Sequence, residues 1–173
     1  MTVSTTFERV LSGLRRLLRP TARPTTRRQP SPRAPGRPAA YPGDATTLPD
    51  TAYAPKPDGK PDPGEIVWTW VPYEEDHTQG KDRPVLVIGR ERSWLVALQL
   101  TSKDHDGDAR QESRAGRQWV DIGSGPWDRK GRPSEVRVNR LIRVAGSSVR
   151  REGAVLPRAR YDEVIAAARL HYS

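Results

Sequence analysis

The chain of 173 residues contains no cysteine. A disulfide framework, a thiolate zinc site and a cysteine nucleophile are therefore excluded, and a reducing cytoplasm is the compartment expected. Histidine is almost as scarce. Only His77, His105 and His171 are present, too few and too scattered for a multi-histidine metal site, and neither a metal nor an organic cofactor is expected. Large apolar residues are sparse too: the single Phe and single Met (Phe7, Met1) stand near the N-terminus. No stretch approaches the roughly 18 apolar residues that a membrane span needs. Arg9, Arg15 and Arg16 interrupt the apolar residues of the N-terminus, which does not fit a signal peptide. A glycine-rich phosphate loop, paired zinc histidines and a nucleophile elbow are all missing. Asp104-His105-Asp106-Gly107-Asp108 lacks the spacing of a calcium loop, because its glycine comes fourth and Ala115 stands where the bidentate Glu belongs. Gly123-Ser124-Gly125 has no third glycine and runs into Pro126-Trp127, so it is a turn rather than a dinucleotide fingerprint.

What the chain does have is positive charge, unevenly spread. The net charge is +9. Residues 1–63 hold 11 Lys+Arg against 5 Asp+Glu, and residues 64–173 hold 19 against 16. Most of the positive field thus belongs to the first third, which leaves nucleic-acid binding by the rest open rather than established. Phe7, Val10, Leu11, Leu14, Leu17 and Leu18 recur at helical spacing among arginines. That pattern predicts a short basic amphipathic helix over 1–19, whose residues 7–19 suit weak contact with an anionic membrane surface. Between Pro20 and Pro63 lie 12 of the 17 prolines. Few apolar side chains there offset the entropy of ordering, and a disordered Pro/Arg-rich linker over 20–63 is expected.

At Gly64 the texture changes. Glu65–Val71, Pro84–Arg90, Ser93–Leu100, Arg117–Ile122 and Ser134–Val138 read as strands, with a further short one at Arg143-Val144. The turn between the second and third is too tight for a helical crossover, so these two should form an antiparallel hairpin. Pro157 opens a final helix with Tyr161, Val164, Ile165 and Ala168 on one face. A mainly β domain over 64–173 follows, a small barrel of five to six antiparallel strands with a C-terminal helix. In it Arg83 stands at the mouth of one buried strand and the Thr101-Ser102 pair at the exit of the next. If these strands are neighbours, a cation and a hydroxyl meet at one place, which is what a phosphodiester requires of a site without a metal.

Three segments in this order resemble the PemK/MazF family, the toxins of type II toxin–antitoxin systems. They are Pro63-Gly64-Glu65-Ile66-Val67-Trp68, then Arg83-Pro84-Val85-Leu86-Val87-Ile88, then Leu100-Thr101-Ser102-Lys103. Val136 to Val144 resembles the segment in which family members often carry Asp followed by Gln; this chain has Asn139 and Arg140 there. The resemblance implies an SH3-like barrel, a homodimer, an antitoxin protein partner, DNA binding together with that antitoxin, and cleavage of single-stranded mRNA without a metal. It also implies that Arg83 and Thr101 are central to cleavage. Asn139 cannot act as a base, so a catalytic carboxylate at that position is missing.

The chemistry of these residues agrees with the main assignment. RNA supplies its own nucleophile, the 2′-hydroxyl, and the transition state gathers charge on the phosphoryl oxygens. A fixed guanidinium neutralises that charge through two parallel hydrogen bonds, the role expected of Arg83, while Thr101 donates to a non-bridging oxygen beside Ser102. Arginine is a poor proton carrier. His77 is the first candidate for the base and Glu65 the second, unless Glu65 only pairs with Arg83. Lys81, Lys103, Arg137 and Arg140 are candidate phosphate contacts, Asn139 a further RNA contact, and Trp127 a candidate for stacking on a base. A second reading keeps the fold and drops the catalysis, leaving a nucleic-acid- or protein-binding module or a DNA-binding autoregulator.

Overall fold

The computed structural model describes residues 41–102 and 116–172, and the side chains of 151–153 are left out of the account. The helix expected over 1–19, the first half of the linker, Lys103 and the Asp104–Asp108 loop lie outside these residues. Among those described, seven strands, one 3-10 turn (Gly146–Ser148, between β6 and β7) and one α-helix follow in sequence: β1 Glu65–Pro72, β2 Gly80–Glu91, β3 Trp94–Thr101, β4 Trp119–Gly123, β5 Ser134–Arg137, β6 Ile142–Ala145, β7 Arg151–Val155 and α1 Arg158–Arg169. The expected fold class is present, an antiparallel sheet curled into a half-barrel with a C-terminal helix. The strand number is higher than expected because β7 carries no strand signature in the sequence. Arg151, Glu152 and Gly153 carry no apolar alternation, and β7 pairs only with β1, at the sheet's edge.

The strands run β4-β5-β3-β2-β1-β7, with β6 added beside β3. One edge of β3 is therefore shared. Trp94–Ala97 pair with β6, while Leu100 and Thr101 pair with Val136 and Glu135 of β5. The β2–β3 hairpin closes through Arg92, whose φ of 54° is the left-handed conformation that such tight turns demand. Alternation along β1, β2 and β3 sends side chains into two apolar clusters. Ile66, Leu86, Ile88, Leu98 and Leu100 pack on one face under Tyr161, Val164, Ile165 and Ala168 of α1. Val67, Val71, Val85, Val87, Leu95 and Ala97 pack on the other face with Ile142 and Val144. Trp127 belongs to the first cluster, whereas Trp68 and Trp70 are only half-buried.

Residues 41–63 depart from the disordered linker expected of them. Ala45 pairs with Leu141 and is buried. The Tyr53 hydroxyl donates to the Leu156 carbonyl at 2.9 Å, and its ring packs edge-on against Tyr161. Arg140 donates to Asp44 at 2.8 Å, and Arg143 donates to the carbonyls of Gly43 and Asp44 at 3.0 and 2.9 Å. Proline content signalled disorder, yet prolines need no backbone donor and can lie as an extended strap on a surface already formed. The strap is held by scattered Tyr and Asp side chains, which carry no periodicity.

Tyr161 joins strap, sheet and helix. Its hydroxyl is placed at 3.0 Å from the Thr51 carbonyl and 3.1 Å from that of Ile88, and burial pushes the phenol well above its ordinary pKa. Tyr161→Phe should cost about 1–2 kcal/mol in urea denaturation, because it leaves buried carbonyls short of a donor without removing the ring.

Candidate active site

The β2–β3 ladder runs from Glu91 opposite Trp94 to Val85 opposite Gln99. Just beyond it stands Pro84, which has no N–H to donate. Arg83 and Thr101 flank the place where the ladder ends, on the same face as Val85 and Gln99. Further pairing fixes what lies alongside: Arg83 is opposite Thr69, Thr101 opposite Glu135, and Arg137 opposite Trp119. The result is a cleft of about 250 Å³ in which Arg83, Thr101, Gln99 and Trp119 meet Arg117, Arg137 and Arg140. Tyr73, Glu74 and Glu75, from the loop between β1 and β2, form its rim.

The arginines of the cleft differ in what they hold. Arg137 is buried and uses its whole guanidinium. Nη1 and Nη2 donate to the two carboxylate oxygens of Glu74 at 2.8 and 2.9 Å, and Nε donates to Asn139 Oδ1 at 3.1 Å. Arg140, also buried, is paired with Asp44. Arg83 is half-buried and makes no side-chain hydrogen bond or ion pair among the described residues. It is thus a cation carried within β2, just past the end of the β2–β3 ladder, with no side-chain acceptor among the described residues.

Glu74 was not singled out in the sequence, where it is one of several acidic residues in a polar loop. Its partner Arg137 is 63 positions away, and no local pattern marks the pair. Hydrogen bonds from Arg137 hold the Glu74 carboxyl below the usual carboxylate range near 4.5. A carboxylate with a depressed folded pKa contributes stability that is present above its unfolded pKa and lost as pH falls through the folded value. Thermal stability should therefore drop as the pH is lowered from about 5 towards 3, and Glu74→Gln should lose part of that dependence in melting curves.

The remaining expected residues fall in and out of this cleft. Ser102 is half-buried beside Thr101, and Lys81 is exposed, 6.0 Å from the Tyr73 ring centroid. His77 is exposed on the rim loop outside the cleft lining, with its ring edge-on to Tyr41 at 5.0 Å. Glu65 does not pair with Arg83. It is buried four residues along β1 from Arg83's partner Thr69, and it accepts the backbone N–H groups of Lys56 and Asp62 at 3.1 Å each. Its work is to hold the strap. Trp127 is buried in the apolar cluster; Trp119 and Tyr73 are the aromatics that line the cleft. Asn139 ties β4 to β5 through the Gln118 N–H and the Gly116 carbonyl, and it orients Arg137.

A family model for the PemK-like, MazF-like toxin of type II toxin–antitoxin systems matches residues 62–172. No curated protein matches the chain. Among solved structures, the chain is similar to an endoribonuclease in complex with its cognate antitoxin from a mycobacterial species, at 13% identity over 64% of this chain and 93% of that one, TM-score 0.46. It is similar to the MazE-MazF structure from Deinococcus radiodurans at 20% identity, 64% and 94% coverage, TM-score 0.44. The toxin MazF-mt6 of Mycobacterium tuberculosis matches at 17% identity, 59% and 90% coverage, TM-score 0.36. With the family model spanning well over half of its residues, this chain belongs to the PemK-like, MazF-like toxins of type II toxin–antitoxin systems.

Proposed function

We propose that the chain is a metal-independent endoribonuclease that cleaves single-stranded RNA and is restrained by an antitoxin protein. The observation that carries this reading is Arg83, an arginine without an internal partner among the described residues, lining one cleft with Thr101. In the proposed reaction the 2′-hydroxyl oxygen attacks the adjacent phosphorus. The P–O2′ bond forms, the P–O5′ bond breaks, and the products are a 2′,3′-cyclic phosphate and a 5′-hydroxyl. Arg83 and Thr101 donate to the non-bridging oxygens as charge grows there. The nucleophile's proton passes to a base, for which His77, on the rim loop outside the cleft lining, is the proposed acceptor, and the protonated base or water returns a proton to the O5′ oxygen. The antitoxin partner follows from the family, and we extend the same reading to a homodimer acting in the cytoplasm.

One observation favours a second reading, a barrel that binds without cutting. Asn139, where family members often carry an acid, holds Arg137 and the Gln118 N–H and offers no base to the cleft. End analysis of RNA incubated with the purified chain in a chelator separates the two. New 5′-hydroxyl and cyclic-phosphate ends support the nuclease; retention of intact RNA by a folded protein leaves the binding module.

A further inference from the structure

We infer that the Arg137 guanidinium is a second phosphate subsite of the cleft, and that Glu74 is its built-in occupant, which an RNA phosphate must displace. This rests on the reading of the cleft as an RNA site and adds a regulated step to it. A carboxylate on the two Nη groups of an arginine has the same fork-on-fork geometry that arginine offers to a phosphate. Glu74 occupies that geometry at 2.8 and 2.9 Å.

The two partners are not equally fixed. The Arg137 side chain is 6% exposed and stays anchored through Nε to Asn139, so its fork points into the cleft whether or not Glu74 is present. The Glu74 side chain is 42% exposed and stands on the rim loop. That loop is closed beneath it by the Tyr73 N–H to Gln79 carbonyl bond at 2.9 Å, and pinned further along by Asp76, which accepts from Thr78 and Gln79. A rotation of the Glu74 side chain can thus release the fork without disturbing strands or loop. Arg140 lies close enough to act electrostatically on Glu74, and its own carboxylate, Asp44, sits on the strap. With both acids in place the inner cleft has Arg137 and Arg140 neutralised and keeps the charge of Arg83. With Glu74 displaced it gains a cation beside Arg83 and Thr101.

The occupant expected after displacement is a backbone phosphate of the bound strand, since successive phosphates run along a strand past the scissile one. Phosphate contacts of this kind fix register without reading sequence. Trp119, directly across from Arg137 in the ladder, gives the adjoining base an apolar surface.

The test uses the full chain and two probes, inorganic phosphate and a fluorescent 2′-O-methyl oligonucleotide of mixed sequence, which binds but lacks the attacking hydroxyl. Glu74→Gln should bind both about five- to tenfold more tightly than the wild type by thermal shift and anisotropy. Glu75→Gln, the same charge change on the next residue of the rim, should move either affinity less than about twofold. The double variant Glu74→Gln/Arg137→Gln removes both partners, so no charge is left orphaned, and the gain should vanish. A gain for inorganic phosphate alone would show an anion site that RNA does not use. Equal gains in Glu74→Gln and Glu75→Gln, or none in the first, would overturn the inference. RNA-end analysis on the wild type reports separately on the nuclease reading, so the two can fail independently.

Discussion

Arg83→Ala is expected to slow RNA cleavage by about 10²–10³-fold, the usual consequence of deleting one preorganised donor to a developing oxyanion. The melting temperature should barely change. Arg83 has no internal hydrogen bond or ion pair to lose among the described residues, and it lies outside both apolar clusters. This combination separates a catalytic arginine from a structural one. Removing Arg137 or Arg140, each paired with a carboxylate and buried, would instead damage the fold first. Arg83→Lys is an informative companion. Lysine keeps the charge and loses the planar fork, so part of the rate should return if bulk charge matters and little if two parallel hydrogen bonds do. Primer extension on a defined RNA, with wild type and variants at matched concentration, measures both. Equal cutting by wild type and Arg83→Ala would place the chemistry elsewhere.

The second large effect concerns the strap. A chain beginning at residue 64 should melt at least about 10 °C below one beginning at residue 41. The shorter chain loses Asp44, leaving the Arg140 guanidinium buried without its counter-ion, a loss of about 3 kcal/mol or more. It also loses the Gly43 and Asp44 carbonyls that Arg143 donates to, and the contact of Tyr53 with Leu156 and Tyr161. Calorimetry of the two truncated chains measures the difference. Closely matching melting temperatures would mean that the strap lies on the barrel without supporting it. The family match begins at residue 62, so nearly all of the strap lies outside it.

Where the sequence was legible, periodicity and punctuation carried the information. The β2–β3 hairpin and the face of α1 formed by Tyr161, Val164, Ile165 and Ala168 follow from apolar alternation bounded by Gly and Pro. Arg83 and Thr101 were legible because neighbouring antiparallel strands must bring the mouth of one beside the exit of the other. The Glu74–Arg137 and Asp44–Arg140 pairs were not, since each joins residues far apart in the chain by side chains that look like any solvated charge. For the same reason the burial of Trp127 is not legible in the sequence. Trp127 follows a Gly-Pro turn, which suggested exposure, but it folds back against Gly125, where an added Cβ would lie 2.2 Å from its ring. Trp119 stands in a plain strand, with nothing in its local sequence to mark it as lining the cleft.

The strap and α1 also set the order in which a newly made chain can finish folding. Ala45 waits for Leu141, β1 waits for β7, and Thr51 waits for Tyr161, 110 positions later, so segments made early find their partners only after long stretches of chain have followed. Such long-range closures fold slowly, and a chain emerging N-terminus first holds them open until its last helix is available. Asp44 meets Arg140 only in that final stage. The wall of the cleft that Arg140 lines therefore cannot be completed until the 96 positions separating it from Asp44 have been made.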